Sequence, residues 1–455
     1  MKKRIIIHYS FLLLALGACG KGFLAVKYDK SVVTPTTLAD YQALLHGNMQ
    51  TPSSHELGIT GSDEFYLSNA SWQSLVQPYL KNGYIWADDI YEQQPCEDYN
   101  RAYSRILTAN IVLDGLDKLT PNEDEKQQWD QAKGAALYFR AEKFYQLAQL
   151  FCKPYYKETA TIDPGIALRL SPDVEQASQR ASVAETYQQI CADLLAALPL
   201  LPVISQTNLH PSKAAANALF AKTYLLMGDY VSAAGYAADC LSQQNMLINY
   251  QTLSKDSNTP FPAYAEGNEE VILLSYTANI PIVASSRFNA DTTLLALYQS
   301  GDLRNAIFYR TNTDGRILFK GSYAGSAYYF TGLSTSEVWL ISAECHARLG
   351  QLGKAMNDIN TLRKTRFSPE QYVPLEAADE QQALRLVLEE RRLELVMRGT
   401  RWEDLRRLNN EPAFAKTLVR QVNDQRYELL PNSPRYVWPL PDDAINFGHL
   451  TQNPR

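Results

Sequence analysis

The sequence predicts a mainly α-helical protein, in which a scaffold of paired helices is interrupted by an irregular, loop-rich region with short strands. Three observations support this prediction. Apolar residues recur at intervals of three and four over long stretches, two stretches share the spacing of one helical repeat, and two other segments lose that periodicity. The 455 residues exceed the usual size of one compact domain, and 45% of them are hydrophobic, which excludes a disordered or fibrous chain.

The first residues predict an export signal. A basic stretch (residues 2–4) precedes a mostly apolar run over residues 5–16, which is shorter than the roughly 20 residues that span a bilayer. The run ends in the sequence LGAC at residues 16–19, which resembles the bacterial lipobox, in which the cysteine becomes the lipidated first residue of the mature protein. We therefore expect residues 1–18 to be a signal peptide and Cys19 to carry lipid. The alternative is an ordinary secretory signal with a chance cysteine.

Charge and cysteine content exclude several classes of protein. The chain carries 43 Lys and Arg against 49 Asp and Glu, for a net charge of −6, which argues against a nucleic-acid partner. After Cys19, an odd number of widely spaced cysteines remains: Cys96, Cys152, Cys191, Cys240 and Cys345. With no CxxC pair, the sequence predicts neither a disulfide framework nor a zinc site, although a single disulfide stays open. We predict no metal and no cofactor.

Helical periodicity predicts four scaffold stretches, at about residues 36–50, 99–152, 183–241 and 336–408. Thr36 or Thr37 is a plausible N-cap for the first. Between them, residues 51–98 and 245–335 are irregular, with Gly, Pro, Asn and Ser separating short apolar runs that are typical of strands. The tail after residue 410 reads as extended chain. We expect residues 19–455 to form one folded unit.

Two of the helical stretches share one repeat. Residues at offsets 0, 3, 7, 12, 16 and 19 match in kind between the two sets Ala221, Tyr224, Gly228, Ala233, Ala237, Cys240 and Ala343, His346, Gly350, Ala355, Ile359, Leu362. The pattern resembles the tetratricopeptide repeat, with small residues where paired helices touch and Gly at the turn. Because the two glycines lie 122 residues apart, an irregular region must interrupt the repeat scaffold.

Motifs for catalysis are missing. The sequence contains no P-loop, no GxSxG and no HExxH, and its histidines are scattered. The carboxylate pairs Asp63/Glu64 and Glu389/Glu390 could serve a glycosidase on paper. Neighbouring residues on a helix point about 100° apart, which counts against the second pair acting together. We interpret these carboxylates as members of structural ion pairs.

The densest charge cluster, residues 388–407, carries a family resemblance. The stretch from Glu390 to Arg407 reads ER-x-x-EL-x-x-x-G-x-RW-x-DL-x-R, and this resembles the C-terminal signature of the SusD/RagB family of Bacteroidota outer-membrane lipoproteins. Other parts of the chain also resemble the family: Phe23-Leu24 after Cys19, Ala109-Asn110, Lys133-Gly134, Leu137, Arg140-Ala141, Pro154-Tyr155, residues 165–169 and the two repeats. From the residues alone, the charges and Trp402 suggest an ion-pair network that joins helices.

The resemblance implies a non-catalytic binding protein. Members of this family cap a SusC-type TonB-dependent outer-membrane transporter and hold oligosaccharides, or in some cases peptides, for import. Their tetratricopeptide-like helices face the transporter, and their irregular segments carry the ligand. The resemblance thus implies an outer-membrane, lipid-anchored and surface-facing protein, although residues 20–26 lack the acidic run that often marks surface export in this phylum.

The residues themselves point to the same irregular segments for ligand binding. Sugar rings present apolar C–H faces bordered by hydroxyls, which exposed aromatic rings with polar neighbours match. Two segments, 63–91 and 264–330, combine both. The candidate ligand-binding residues are Asp63, Trp72, Tyr84, Trp86, Tyr91, Tyr276, Arg287, Tyr323, Tyr328 and Tyr329. Trp86, followed by two aspartates, is the first choice for a platform. A peptide ligand, a protein-interaction scaffold and a glycosidase remain as alternatives.

Overall fold

The computed structural model describes residues 35–50, 53, 55–263, 267–277 and 280–455. The predicted signal peptide and Cys19 lie outside these residues. In the described chain, sixteen α-helices follow in the order α1 (Leu38–Gln50), α2 (Glu56–Gly61), α3 (Asn69–Gln73), α4 (Pro78–Tyr84), α5 (Glu97–Asp117), α6 (Lys126–Phe151), α7 (Val183–Ala197), α8 (Lys213–Met227), α9 (Tyr230–Gln243), α10 (Thr292–Leu295), α11 (Leu303–Phe308), α12 (Thr335–Arg348), α13 (Leu352–Lys364), α14 (Glu380–Glu394), α15 (Thr400–Leu408) and α16 (Asp442–Asn446).

The strands are short and pair only in twos. They are β1 (Phe65–Tyr66), β2 (Pro164–Ala167), β3 (Arg180–Ser182), β4 (Val271–Leu273), β5 (Tyr276–Thr277), β6 (Asn289–Ala290), β7 (Tyr309–Thr311), β8 (Ile317–Phe319), β9 (Tyr329–Phe330), β10 (Leu333–Ser334), β11 (Leu418–Val422) and β12 (Gln425–Leu429). Among the described residues they form six antiparallel ladders: β1–β6, β4–β10, β11–β12, β2–β3, β5–β9 and β7–β8. Such small ladders are marginal alone, so packing must hold them in place.

The two predicted repeats are helical hairpins, α8–α9 and α12–α13. Gly228 and Gly350 both adopt left-handed backbone angles, with φ of 75° and 72°, where a side chain would be strained. Ala221 and Ala233 are fully buried between the first pair of helices, which lets the helices approach closely. In addition, α9 packs against α12. The two repeats are therefore neighbours in space, although an irregular segment separates them in sequence.

A second pair of helices, α5 and α6, packs side by side, and α7 packs on α6. Ser182 begins α7 with a capping box, in which its hydroxyl accepts from the Glu185 N–H while the Glu185 carboxylate accepts from the Ser182 N–H. Arg140 of α6 forms a buried ion pair with Asp193 of α7 at 2.7 Å. These helices and the repeats share one large hydrophobic core.

A second hydrophobic core lies beneath the irregular segments. It is built from residues within 59–84 and 248–330, together with Leu393 and Val396 of the signature stretch 390–407. The mainly helical fold class is thus confirmed, but details differ from the sequence prediction. Residues 365–379 are not helical, and the tail after residue 410 contains the hairpin β11–β12. Among the residues that the structure describes, the five cysteines are all free and form no disulfide.

A cluster of fully buried charges links the irregular segment 245–335 to α14 and to the residues that follow α13. We call it the central ion-pair cluster, and it consists of Glu270, Arg304, Arg366, Glu390 and Glu394. Arg366 Nη2 lies 2.9 Å from Glu270 and 2.8 Å from Glu394, and Arg304 Nη1 lies 2.5 Å from Glu390. Burial acts to raise the pKa of Glu394, but the neighbouring arginines hold it at about 2. The carboxylate is therefore ionised at neutral pH.

Glu394→Gln should strongly destabilise the protein. The change leaves Arg366 and Arg304 buried with one carboxylate fewer, and breaking a buried ion pair costs about 3–5 kcal/mol. The measurement is the free energy of unfolding in urea at pH 7. The matched control is Glu428→Gln, because Glu428 and its partner Arg426 have side chains 41% and 65% exposed, and such pairs contribute about 1 kcal/mol or less. Equal losses in the two variants would contradict a structural role for the cluster.

Candidate functional site

The structure buries every predicted aromatic ligand residue of segment 63–91. Trp86 is 0% exposed, and its indole Nε1 donates to the Gly61 carbonyl at 3.2 Å. The Tyr84 hydroxyl accepts from the Leu67 N–H, and the Tyr91 hydroxyl donates to the Pro439 carbonyl. Trp72 is likewise buried, with its Nε1 bonded to the backbone. The prediction of Trp86 as an exposed platform is therefore wrong for this structure.

The end of helix α4 explains why Trp86 points inward. The Trp86 N–H donates to Gly83 and the Ala87 N–H donates to Asn82, which is the Schellman pattern of a helix C-terminus. The left-handed position in this pattern usually holds Gly, but here it holds Trp86, with φ of 53°. The strain of a large side chain in this conformation costs about 1 kcal/mol or more. Burial of the indole offsets that cost, and the guanidinium of Arg420 lies 5.4 Å from the ring.

Asp63 and its neighbour Glu64 serve as structural carboxylates. Burial acts to raise the pKa of Asp63, but Arg401 at 2.6 Å, together with Lys416 and Arg392, holds it well below its usual range. Burial raises the pKa of Glu64 to about 7. Below pH 7 the Asp63 carboxylate is ionised and the Glu64 carboxyl is largely protonated, as a catalytic acid–base pair would require. Asp63 is nevertheless bound by its cationic partners, and Glu64 Oε1 accepts a hydrogen bond from the Met397 N–H.

In segment 264–330, three of the five candidates also have structural roles. The Tyr323 hydroxyl lies in the central ion-pair cluster, 2.7 Å from Glu270, and Arg398 covers its ring at 3.8 Å. The Tyr329 hydroxyl donates to the Val283 carbonyl. Arg287 is half-buried, and its guanidinium donates to the hydroxyl and carbonyl of Ser74. None of these three presents a free platform.

Tyr276 and Tyr328 remain as a surface pair. Their rings stack with centroids 5.3 Å apart and planes 20° apart, and Tyr328 is 43% exposed. The ladder β5–β9 places them together, because Tyr276 pairs with Phe330 and Tyr328 stands two residues before Phe330. Such diagonal neighbours lie on one face of a ladder within reach of aromatic side chains. We call this pair the tyrosine platform.

A small cleft with mostly apolar walls and a few polar residues adjoins the tyrosine platform. Tyr276 and Ser275 line it together with Arg105 and Thr108 of α5 and Glu142 of α6. Burial lowers the pKa of Arg105, and Glu142 opposes this effect. Sequence reasoning missed these three residues because they stand on helices that were assigned to the scaffold. The sequence signal that could have identified them is the presence of polar residues on helices that pack against the irregular region.

A second small cavity, of about 50 Å³, shares Glu142 and Leu273 with this cleft. The cavity is lined by charged and polar groups, including His55, Lys222 and Arg398. Burial lowers the pKa of His55 well below its usual range, so the imidazole is neutral. Because ligand sites occupy about 300–1,000 Å³, this cavity suits water rather than a sugar.

Two family models match the sequence. One, described as "Starch-binding associating with outer membrane", matches residues 22–225, and the other, described as "SusD family", matches residues 320–455. The second span contains the signature from Glu390 to Arg407. The chain belongs to the SusD/RagB family. The expected family is therefore confirmed.

The chain is similar in sequence to one named protein and in fold to several solved structures. The chain is 24% identical over 422 residues to the SusD-like protein P2 of Formosa agariphila, covering 78% of this chain and 79% of that protein. A SusD superfamily structure from Bacteroides thetaiotaomicron has a TM-score of 0.73 at 18% identity, covering 92% of this chain and 100% of the other. Surface glycan-binding protein A from Bacteroides uniformis has a TM-score of 0.71 at 15% identity, covering 91% and 98%. At these identities the two solved structures establish the fold.

In this SusD/RagB chain, the part that the structure describes has no cluster of three or more His, Cys, Asp or Glu that could hold a metal ion. A helix with the length and apolar character needed to cross a bilayer is also missing from the described residues. Among the aromatic residues predicted from sequence to bind ligand, the pair Tyr276 and Tyr328 is the one that reaches the surface.

Glu64→Gln should change the pH dependence of stability. The pKa of Glu64 is about 7 in the folded protein, against 4.5 for an ordinary glutamate. Its contribution to the free energy of unfolding is therefore full below pH 4.5 and is lost as the pH rises from 4.5 to 7. Gln carries no proton to lose. The variant should therefore gain about 2 kcal/mol of unfolding free energy over wild type between pH 5 and pH 8.

The control is Asp314→Asn, whose carboxyl has a pKa of about 2 in the folded protein. Asp314 is ionised throughout pH 5–8, so its difference from wild type should stay constant over this range. Urea unfolding at each pH gives both curves. A constant difference for Glu64→Gln as well would show that burial does not perturb Glu64 as the structure indicates.

Proposed function

We propose that this chain binds a neutral oligosaccharide on the tyrosine platform, at the outer membrane, and delivers it to a SusC-type TonB-dependent transporter. The observation that carries the proposal is the stacked pair Tyr276–Tyr328, since it is the part of the predicted aromatic set that reaches the surface. A flat, exposed aromatic face suits the C–H face of a sugar ring, and the neighbouring Arg105, Thr108 and Glu142 can bond to hydroxyls.

The names of similar proteins support a sugar ligand. One matching family model is described as starch-binding, and similar folds include a SusD-like carbohydrate binding protein from Bacteroides vulgatus (TM-score 0.68, 18% identity, 90% and 96% coverage) and the surface glycan-binding protein of Bacteroides uniformis. The protein acts without catalysis in this proposal. Asp63 and Glu64 are held by structural partners, and Glu390 lies inside the central ion-pair cluster.

Attachment to the membrane is proposed to occur through lipid on Cys19, with the folded part facing the cell surface. Two or more acyl chains on one cysteine give stable attachment, whereas a single chain gives only marginal binding. The family model described as associating with the outer membrane supports this location.

Tyr328→Ala should weaken oligosaccharide binding by about tenfold, because a stacked ring contributes on the order of 1 kcal/mol beyond its buried area. The measurement is calorimetric titration with neutral hexasaccharides of glucose, mannose, galactose and xylose. The matched control is Tyr66→Ala, since Tyr66 is similarly exposed at 40% but lies on β1 beside Asn289. Binding should resist added salt, because a neutral sugar has no charge to screen.

Several outcomes would contradict the proposal. Equal affinities for Tyr328→Ala and wild type would remove the platform role. Binding of peptides with no binding of any sugar would replace the ligand class, and binding of neither would favour a protein-interaction scaffold. Shortened glycans recovered after incubation, in amounts that follow the protein through purification, would make it a glycosidase.

Cys19→Ala should release the protein from the membrane fraction. The lipid is expected on this cysteine alone, so its loss removes the proposed anchor. The measurement is the distribution of the protein between the soluble and outer-membrane fractions after lysis of the producing cells. Cys191→Ala, which leaves the lipobox intact, is the control. A Cys19→Ala variant that still sediments with outer membranes would contradict lipid attachment.

A further inference from the structure

A second cleft lies far from the tyrosine platform. It occupies about 620 Å³, which falls within the range of ligand sites. Its walls come from the loop after α6, the end of α15, the loop after β12 and the C-terminal residues. We call it the C-terminal cleft, and its main lining residues are Tyr156, Asp163, Arg406, Asn409, Asn410 and Tyr436.

The walls of the C-terminal cleft are fixed by hydrogen bonds. Asn453 Nδ2 donates to the carbonyls of Phe151 and Trp438, at 2.8 and 2.9 Å, and so ties the C-terminal residues to the end of α6. Arg406 donates from its terminal nitrogens to the carbonyls of Ala148 and Cys152, at the C-terminal end of the same helix. The cleft is thus a formed feature of the fold.

Two lining side chains, Asp163 and Arg406, each have a buried polar atom that makes no hydrogen bond within the protein. These atoms are Asp163 Oδ2 and Arg406 Nε, whereas the side chains of Tyr436 and Asn409 bond to each other. An unpaired buried polar group costs about 1–3 kcal/mol, so such groups are rare, and two around one cleft require an explanation. Polar groups that lack protein partners are those that a ligand or its bound water can satisfy.

The composition of the cleft identifies the class of ligand. Apolar surface comes from tyrosines and from Pro154, Pro164, Pro434 and Pro454, while amides come from four asparagines. The cationic Lys153 is already paired with Asp163 at 2.6 Å, so the lining presents no concentrated charge of one sign. Apolar faces bordered by amides match a neutral, polyhydroxylated molecule.

We propose that the C-terminal cleft is a second binding site for a neutral sugar of one or two rings. The inference rests on the proposed function, since it assumes that the chain binds glycans. The two sites are separate, because Phe139 of α6 lines the cleft beside the tyrosine platform and Lys153 follows the end of that helix, a separation of about 20 Å along its axis. Two sites on one chain would hold two segments of a branched glycan, or two glycans, at once.

The test separates the two sites by mutation in the full chain. Tyr156 is half-buried and Asn410 is exposed, so Tyr156→Ala and Asn410→Ala can be made without opening the core. Neutral hexasaccharides of glucose, mannose, galactose and xylose are titrated against wild type, Tyr328→Ala, and Tyr328→Ala combined with each cleft variant. Tyr328→Ala should retain weaker binding, and Tyr156→Ala should reduce that residual affinity by about tenfold. Asn410→Ala should reduce it about threefold to tenfold.

Tyr156→Phe keeps the ring and should keep most of the residual affinity, and melting temperatures establish that each variant is folded. Residual binding that neither cleft variant changes would overturn the second site and leave the proposed function standing. Complete loss of binding in Tyr328→Ala would also overturn it. Binding that depends on Tyr156 but not on Tyr328 would support the cleft and overturn the tyrosine platform. If wild type binds none of the sugars, both proposals fail.

Discussion

The central ion-pair cluster is the constraint on which the rest of this structure depends. Charges with no access to water are tolerated only when every partner is in place, and here the partners come from four separate parts of the chain. Glu270 precedes β4, Arg304 lies on α11, Arg366 follows α13, and Glu390 and Glu394 lie on α14. The irregular region therefore takes its position from the helical scaffold, since its own ladders are too small to do so.

This constraint also explains where sequence reasoning succeeded and failed. The repeats were readable because Ala at helix contacts and Gly at the turns are local signals, and both glycines take the left-handed conformation that the pattern requires. Tyr323 was misread because nothing near it in sequence shows that its hydroxyl meets Glu270 and Glu394, 53 and 71 residues away. Aromatic rings with polar neighbours mark the segments that carry the ligand candidates, but the sequence does not show which of these rings reach the surface.

Trp86 and the tyrosine platform both show that a single sequence segment does not reveal whether an aromatic ring is buried or exposed. Trp86 is buried because a helix ends two residues before it and turns the indole inward, a local event that its polar neighbours did not reveal. Tyr276 and Tyr328 stack because β5 and β9, separated by about fifty residues, form a ladder of two pairs. The cleft beside them also requires residues of α5 and α6. Ligand residues of this kind emerge from distant pairing and are not visible in any single segment.

The spatial contact between the two repeats has a further consequence for how the chain is built. The irregular segment leaves the scaffold after α9 and returns at α12, and these helices pack on each other. Its two ends are also tied directly, since the Thr335 N–H donates to the Glu270 carbonyl and the Thr335 hydroxyl donates to the Met246 carbonyl. The segment is thus an insertion between adjacent modules, with its entry and exit at one junction. A different insertion that preserved the junction and its ion pairs would give the same scaffold a new recognition surface.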